Sequence, residues 1–362
     1  MPGRTSSENT KEHAAQSVDW PSVNKVLVIR LRSIGDTVLA TPTLRALREF
    51  LPDAQIDILL EDWVAPLLEG HTAVDSVIPV SRERTGRISA ASRLRKTGYD
   101  LVINLHGGTT STFLTRATGA RCRVGSAAYQ YSFLYNLRLD SPAEFWGTPG
   151  THSAEQQLAQ AGFIGVPVRH RPASELPEDP EADSRISERL RSMDPGPVGS
   201  PVALLHPAAA MFTKQWDTER FARIAEHLAG HGLFPVAVGT PSERPVLDAL
   251  SNSSAIPVGT FSDLSLPEIT ALARRASIFV GNDSGIAHIA AAVGTPPVVI
   301  FGSSNRVHWA PWTEGPSKMV FKEFDCQPCP GYECRVFGQP RCILEVPVEA
   351  VIKAIDGLLE GG

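Results

Sequence analysis

The chain has no run of 18 apolar residues, which leaves no candidate for a membrane-crossing helix. It has no Gly-x-Gly-x-x-Gly turn, so a nicotinamide or flavin enzyme is disfavoured. No Asp-x-Asp metal motif occurs. Cysteine is scarce, five in 362 residues, which excludes a disulfide scaffold. Met1 to Asn24 is polar and lacks an apolar stretch of the kind that marks a signal peptide, and it reads as a disordered tail. A reducing compartment, the cytoplasm, is the expectation. A surplus of positive charge is absent too, since the net charge is −5, and this argues against bulk binding of nucleic acid.

What is present is the composition of a globular protein, 42% hydrophobic and 20% charged, over a length that suits two domains. Charge is unevenly spread. Residues 1–150 carry 17 Lys/Arg against 15 Asp/Glu, and the remainder carries 17 against 24. Between Arg82 and Arg123 there are nine basic residues and only Glu83 and Asp100 as acids, so an anionic partner has a place to dock, although a solvated helix face accounts for any one of them equally well.

Lys25 to Leu31 is a continuous apolar run, as in a parallel strand buried on both faces. Gly35-Asp36 then turns the chain into an apolar-periodic helix through Leu39, Leu44, Leu47 and Phe50. Strands at Gln55–Leu60, Val77–Val80 and Leu101–Leu105 alternate with helices near Val64–Glu69, Arg87–Lys96 and from Thr109 to near Thr118, and another helix is expected over Ser153–Phe163. Residues 166–201, rich in Pro, Glu, Asp and Ser, mark a boundary. A second series follows: strand Val202–Leu205 ending at His206, helix Thr218–His231, strand Phe234–Val238 ending at Gly239, a helix to Leu250, and a helix to Arg275.

The series culminates in Phe279 to Gly302, which reads as strand, tight turn (Gly281-Asn282-Asp283-Ser284-Gly285), helix and strand. Gly294 and Pro296 stop the helix. Such a unit aims free backbone N–H groups at the carboxyl end of its strand, a ready phosphate site. Taken singly, Asp36 and Asp283 or Ser284 serve equally well as helix caps. Three strands ending in small or polar turns at one sheet edge tip the balance toward a nucleotide pocket.

Gly35-Asp36 with Pro42, His206 with Lys214 and Trp216, Gly239 with Glu243, and Asp283-Ser284-Gly285 with His288 together resemble glycosyltransferase family 9, the lipopolysaccharide heptosyltransferases, over Lys25 to Ile355. The resemblance implies a GT-B α/β architecture, two Rossmann-like doubly wound domains facing a cleft. The divisions expected are a tail at 1–24, an acceptor domain at 25–175, a nucleotide-sugar domain at 176–345, and a helix at 346–362 packing back on the acceptor domain. It further implies inverting transfer from ADP-heptose to a lipopolysaccharide inner-core acceptor, without cofactor or metal. Asp36 matches the general base and Lys214 the lysine on the donor phosphates. Donor contacts are expected from His206, Ala208, Ala209, Glu243, Leu264, Asp283, Ser284, Gly285 and His288, and acceptor contacts from Arg32, His106 and Arg116. The implied partners are a nucleotide sugar and a lipid-linked anionic glycan, met at the cytoplasmic face of the inner membrane by a cytoplasmic, peripheral enzyme.

A family 9 transferase with another nucleotide sugar, a nucleotide-sugar epimerase on the same fold, and a non-catalytic nucleotide binder are the alternatives. Cys326, Cys329, Cys334 and Cys342 are spaced C-x2-C-x4-C-x7-C, compatible with a structural zinc, reduced thiols or local disulfides.

Overall fold

A computed structural model describes residues 18–193, 196, 199–329 and 331–361. Within them the apolar runs form two six-stranded sheets in which every pairing is parallel. The first contains β1 (Lys25–Ile29), β2 (Gln55–Glu61), β3 (Ser76–Val80), β4 (Leu101–Asn104), β5 (Cys122–Ser126) and β6 (Leu137–Leu139), in the order β3-β2-β1-β4-β5-β6. The second contains β7 (Val202–His206), β8 (Phe234–Val238), β9 (Gly259–Phe261), β10 (Ala276–Asn282), β11 (Pro297–Phe301) and β12 (Lys318–Phe321), in the order β12-β11-β10-β7-β8-β9. Counted from its own first strand, the second sheet repeats the order of the first. Strand order therefore reverses between β1 and β4 and again between β7 and β10, the crevices where open α/β sheets hold ligands.

The inner strands β1, β7 and β11 are covered on both faces, which is why they are almost wholly apolar. In β1, Val26 and Val28 join a core with Ile56, Ile58 and Ile103. Leu27 and Ile29 point the other way, onto Ala90 and Leu94 of the helix Arg84–Thr97 and Leu114 of the helix Thr109–Thr118. Numbering the helices in chain order makes α1 Ile34–Val38, α2 Thr41–Phe50, α3 Arg84–Thr97, α4 Thr109–Thr118, α5 Pro142–Trp146, α6 Ser153–Phe163, α7 Pro180–Arg191, α8 Thr218–Gly230, α9 Arg244–Ser253, α10 Leu266–Arg275, α11 Gly285–Ala292, α12 Arg306–Trp309, α13 Arg341–Leu344 and α14 Val348–Leu359.

Several expectations are corrected. Residues 18–24 are not a tail: Val18 and Val23 are buried, and Trp20 sits edge-on to Phe50 at 4.9 Å, because these apolar side chains cover α2. The rest of the expected tail, residues 1–17, lies outside the described residues. The helix expected from Asp36 to Phe50 breaks into α1 and α2, since Pro42 opens a new first turn. Residues 166–201 hold α7, capped by Asp179 on the N–H of Glu181 at 2.9 Å and packed on α10. The expected helix near Val64 is a single 3-10 turn, Ala65–Leu68. The short strands β5, β6, β9 and β12 were not anticipated.

The last helix is corrected as well. Val351, Ile355 and Leu358 of α14 enter the core of the second unit, against α8, β11 and β12, rather than crossing to the first. Its approach is fixed by Trp216 Nε1 and Arg220, both donating to Val346 O at 3.1 and 2.8 Å. The units are instead joined by α6 and the segment around 305–312, where His152 meets Ala310 O at 2.7 Å and stacks on Trp312.

Candidate active site

The carboxyl ends of the two sheets meet where the starts of α1 and α11 abut. Glycine at both starts permits this. A Cβ on Gly285 would lie 2.7 Å from Ile34 Cβ and 3.2 Å from the backbone nitrogen of Gly35, and one on Gly35 would lie 2.8 Å from His288 Cδ2. Gly285→Ala is therefore expected to force the two units apart and lower stability by about 1–3 kcal/mol, read as a fall in the urea midpoint with an unchanged slope. An unchanged midpoint would show that the junction yields freely.

Asp36, in the first turn of α1, is held on both carboxylate oxygens. Oδ1 pairs with Arg30 from the end of the β1 run, and Oδ2 accepts from Ser33 Oγ at 3.0 Å. Arg30 in turn donates to Leu105 O beyond β4. Across the junction, Lys214 Nζ lies 2.8 Å from Asp283 Oδ2, which also accepts from Ser304 Oγ. Buried Asn282 sets this arrangement by accepting from Trp216 N at 3.1 Å and donating to Pro207 O at 2.8 Å, tying the turn after β7 to the end of β10. Ser284 Oγ is 3.0 Å from His206 Nδ1.

Two cavities open from this junction. The larger, of about 870 Å³, lies on the first unit and is lined by Arg30, Arg32, Arg82, His106, Tyr129 and Gln156, among others. The smaller, of about 400 Å³, lies between the units and includes His206, Met211, Lys214, Glu243, Asp283 to Ile286 and His288. Ser33, Asp36, Trp63 and Trp309 line both. Burial lowers the His206 and His106 pKa values to about 4, helped for His106 by Arg30, so both imidazoles are neutral at pH 7. Burial also lowers His288, whose Nδ1 has no partner among the described residues.

Of the residues expected to touch a donor, His206, Lys214, Glu243, Asp283, Ser284, Gly285 and His288 share the smaller cavity. Ala208, Ala209 and Leu264 do not line it. Ala208 is buried, its carbonyl 3.4 Å from Asn282 Nδ2, and the wall is made by Ala210 and Met211, two and three residues further on. Leu264 packs against the core before α10. Glu243 caps its own turn, Oε2 accepting from Thr240 N at 2.7 Å. Arg32 and His106 line the larger cavity, whereas Arg116 lies in the last turn of α4 beside Arg123, at the other edge of the sheet. Seven residues of helix carry it about 10 Å from the start of α4. Arg30, Asn282, Ser304, Trp63 and Trp309 were not singled out from sequence. A charged residue closing the apolar run of β1 was the signal for Arg30, and nothing local marks Trp309.

The four clustered cysteines are unpaired. Burial and the proximity of Cys329, Cys326 and Cys334 push the Cys342 thiol up to about 11. Among the described residues, the group of three metal-ligating side chains with ligand atoms within 4.8 Å of one another is a different one, His227, His231 and Asp356.

Two Rossmann-like units whose strand ends face a common cleft define a GT-B glycosyltransferase scaffold. The chain belongs to glycosyltransferase family 9 (heptosyltransferase), whose family model matches residues 87–338. It is similar to lipopolysaccharide heptosyltransferase 3 of Escherichia coli K12, 27% identical over 340 residues, 91% of this chain and 96% of that one. Its fold is similar to the glycosyl transferase family 9 from Veillonella parvula DSM 2008 (22% identity, TM-score 0.80, covering 94% and 98%). It is also similar to the E. coli ADP-heptose lps heptosyltransferase II (21%, 0.76, 93% and 99%). The family resemblance, the GT-B architecture and the glycosyltransferase class read from sequence are thereby borne out.

Proposed function

We propose that the protein moves a heptose from ADP-heptose, with inversion and without a metal ion, onto a lipid-linked anionic glycan of the lipopolysaccharide inner core. The observation that carries this reading is the position of Asp36 in the walls of both cavities. An acceptor hydroxyl in the larger cavity would meet the anomeric carbon of a donor in the smaller one at that carboxylate, which takes the proton as the new bond forms. The departing diphosphate is met by Lys214 and by the free N–H groups at the start of α11. Asp283 is itself an anion, buried against Lys214 and Ser304. Its part is to aim the ammonium, not to touch phosphate.

Arg30, Arg32 and Arg82 suit an acceptor bearing carboxylates or phosphates. The nucleotide and the sugar are taken from the named relatives. The setting, the cytoplasmic face of a membrane, is supported by an exposed aromatic row. Phe113, Tyr131 and Phe133 follow one another at 5.5 and 6.3 Å, and Tyr131 is two residues along the chain from Tyr129 of the larger cavity's wall. Alongside run Arg84, Arg87, Arg93, Arg95 and Lys96 of α3, none of them in a described ion pair. A basic face with aromatic tips fits an anionic bilayer surface. No described helix is long and apolar enough to cross one.

Calorimetric titration with ADP, UDP and GDP in EDTA, followed by transfer from ADP-heptose, tests the reading. ADP is expected to bind at least tenfold more tightly than the other two. Preference for UDP or GDP would keep the transferase and replace the sugar.

A further inference from the structure

A second site lies away from the cleft, on the helices α8 and α14. His227 and His231 are four residues apart at the end of α8, so their rings share one face. The last helix, α14, brings Asp356 to that face. Its register is fixed by Val351, Ile355 and Leu358 in the core and by the pair Arg223–Glu349 at 3.1 Å nearer the helix starts. The result is a convergence of three ligand atoms. His227 Nε2 is 2.7 Å and His231 Nε2 is 3.2 Å from the same oxygen, Asp356 Oδ1, and the two ring centroids are 4.8 Å apart.

These separations have a meaning in coordination chemistry. Bonds of about 2.0–2.1 Å from one ion to imidazole nitrogen and carboxylate oxygen, set at octahedral or tetrahedral angles, place neighbouring ligand atoms about 3 Å apart. Both histidine–carboxylate separations are thus already those of neighbouring ligands of a single ion, and all three ligand atoms lie within 4.8 Å of one another. They are 24%, 38% and 34% exposed, open enough for an ion to arrive from solvent and to keep water in its remaining positions. The carbonyl end of α8 adds partial negative charge beside the carboxylate. Two imidazoles and one carboxylate select the zinc, cobalt and nickel class over magnesium or calcium.

We propose that His227, His231 and Asp356 bind one divalent transition-metal ion of the zinc class, which clasps the last helix of the chain to α8. The site takes no part in transfer. α8 begins four residues after Lys214 of the smaller cavity and runs 13 residues, about 20 Å, to the end that carries the two histidines. Its effect is on stability: an ion bound only by the folded chain raises the unfolding temperature as its concentration rises.

The test uses the full chain stripped with EDTA, in a Cys326→Ser/Cys329→Ser background so that thiolates do not compete, titrated with Zn²⁺ and with Co²⁺. One ion per chain is expected, with a rise of a few degrees in Tm. The Co²⁺ spectrum should show only ligand-field bands of nitrogen and oxygen ligation. His227→Gln and His231→Gln, both at partly exposed positions, should each weaken binding at least tenfold and remove the Tm rise, while ADP affinity stays the same in all three proteins. Absence of binding in the background protein, or equal binding in the histidine variants, overturns the assignment. The unfolding temperature of each metal-free variant shows that it is folded when tested.

Discussion

Replacing Asp36 with asparagine is expected to lower kcat by about a thousandfold while leaving ADP affinity within a factor of two. A positioned base contributes roughly 10²–10⁴ to such a step. The substitution keeps the size of the side chain and its bond to Ser33, and it removes the charge that answers Arg30. A loss confined to kcat means an interaction made in the transition state alone. Survival of more than a tenth of the rate would take the proton elsewhere, and then the position of Asp36 in both cavity walls would be a matter of packing. Measuring ADP affinity alongside the rate separates these outcomes from a collapse of the site.

The parts of the site that were legible in sequence are those built by one strand and the turn after it. Gly35-Asp36, Lys214 and Asp283 to Gly285 each follow an apolar run, and parallel topology brings all such turns to one edge. What was not legible depends on how side chains meet across sequence distance. Arg30 reaches Asp36 and Leu105, and Trp309 reaches the cleft only because residues 305–312 cross to the first unit. Arg116 shows the converse: it was expected as an acceptor contact, but helical rise carries it away from the carboxyl end of the sheet. For α14, the apolar stripe was readable while its destination was not, since both units offer a core and nothing in the stripe itself selects α8, β11 and β12. The short strands escaped because three to five residues hold too little alternation to stand out from a loop.

Lys214→Ala is expected to act twice, and the two effects are separable. The first is on turnover. An ammonium placed on the leaving diphosphate grows in value as charge develops there, so kcat should fall about 10²–10³-fold and donor affinity less. The second is on stability. Asp283 is 6% exposed and, among the described residues, would keep Ser304 alone as a side-chain partner, and losing one member of a buried pair costs about 3–5 kcal/mol, less here because Lys214 is itself 21% exposed. Removing both charges, as in Lys214→Met/Asp283→Asn, takes away the unpaired anion. The double variant is therefore expected to recover most of the unfolding temperature and none of the rate. Recovery of both would reduce Lys214 to a structural counter-charge for Asp283. Recovery of neither would mean that the pair holds the turn between β10 and α11 in shape, since without that shape the free N–H groups of α11 no longer point at the diphosphate.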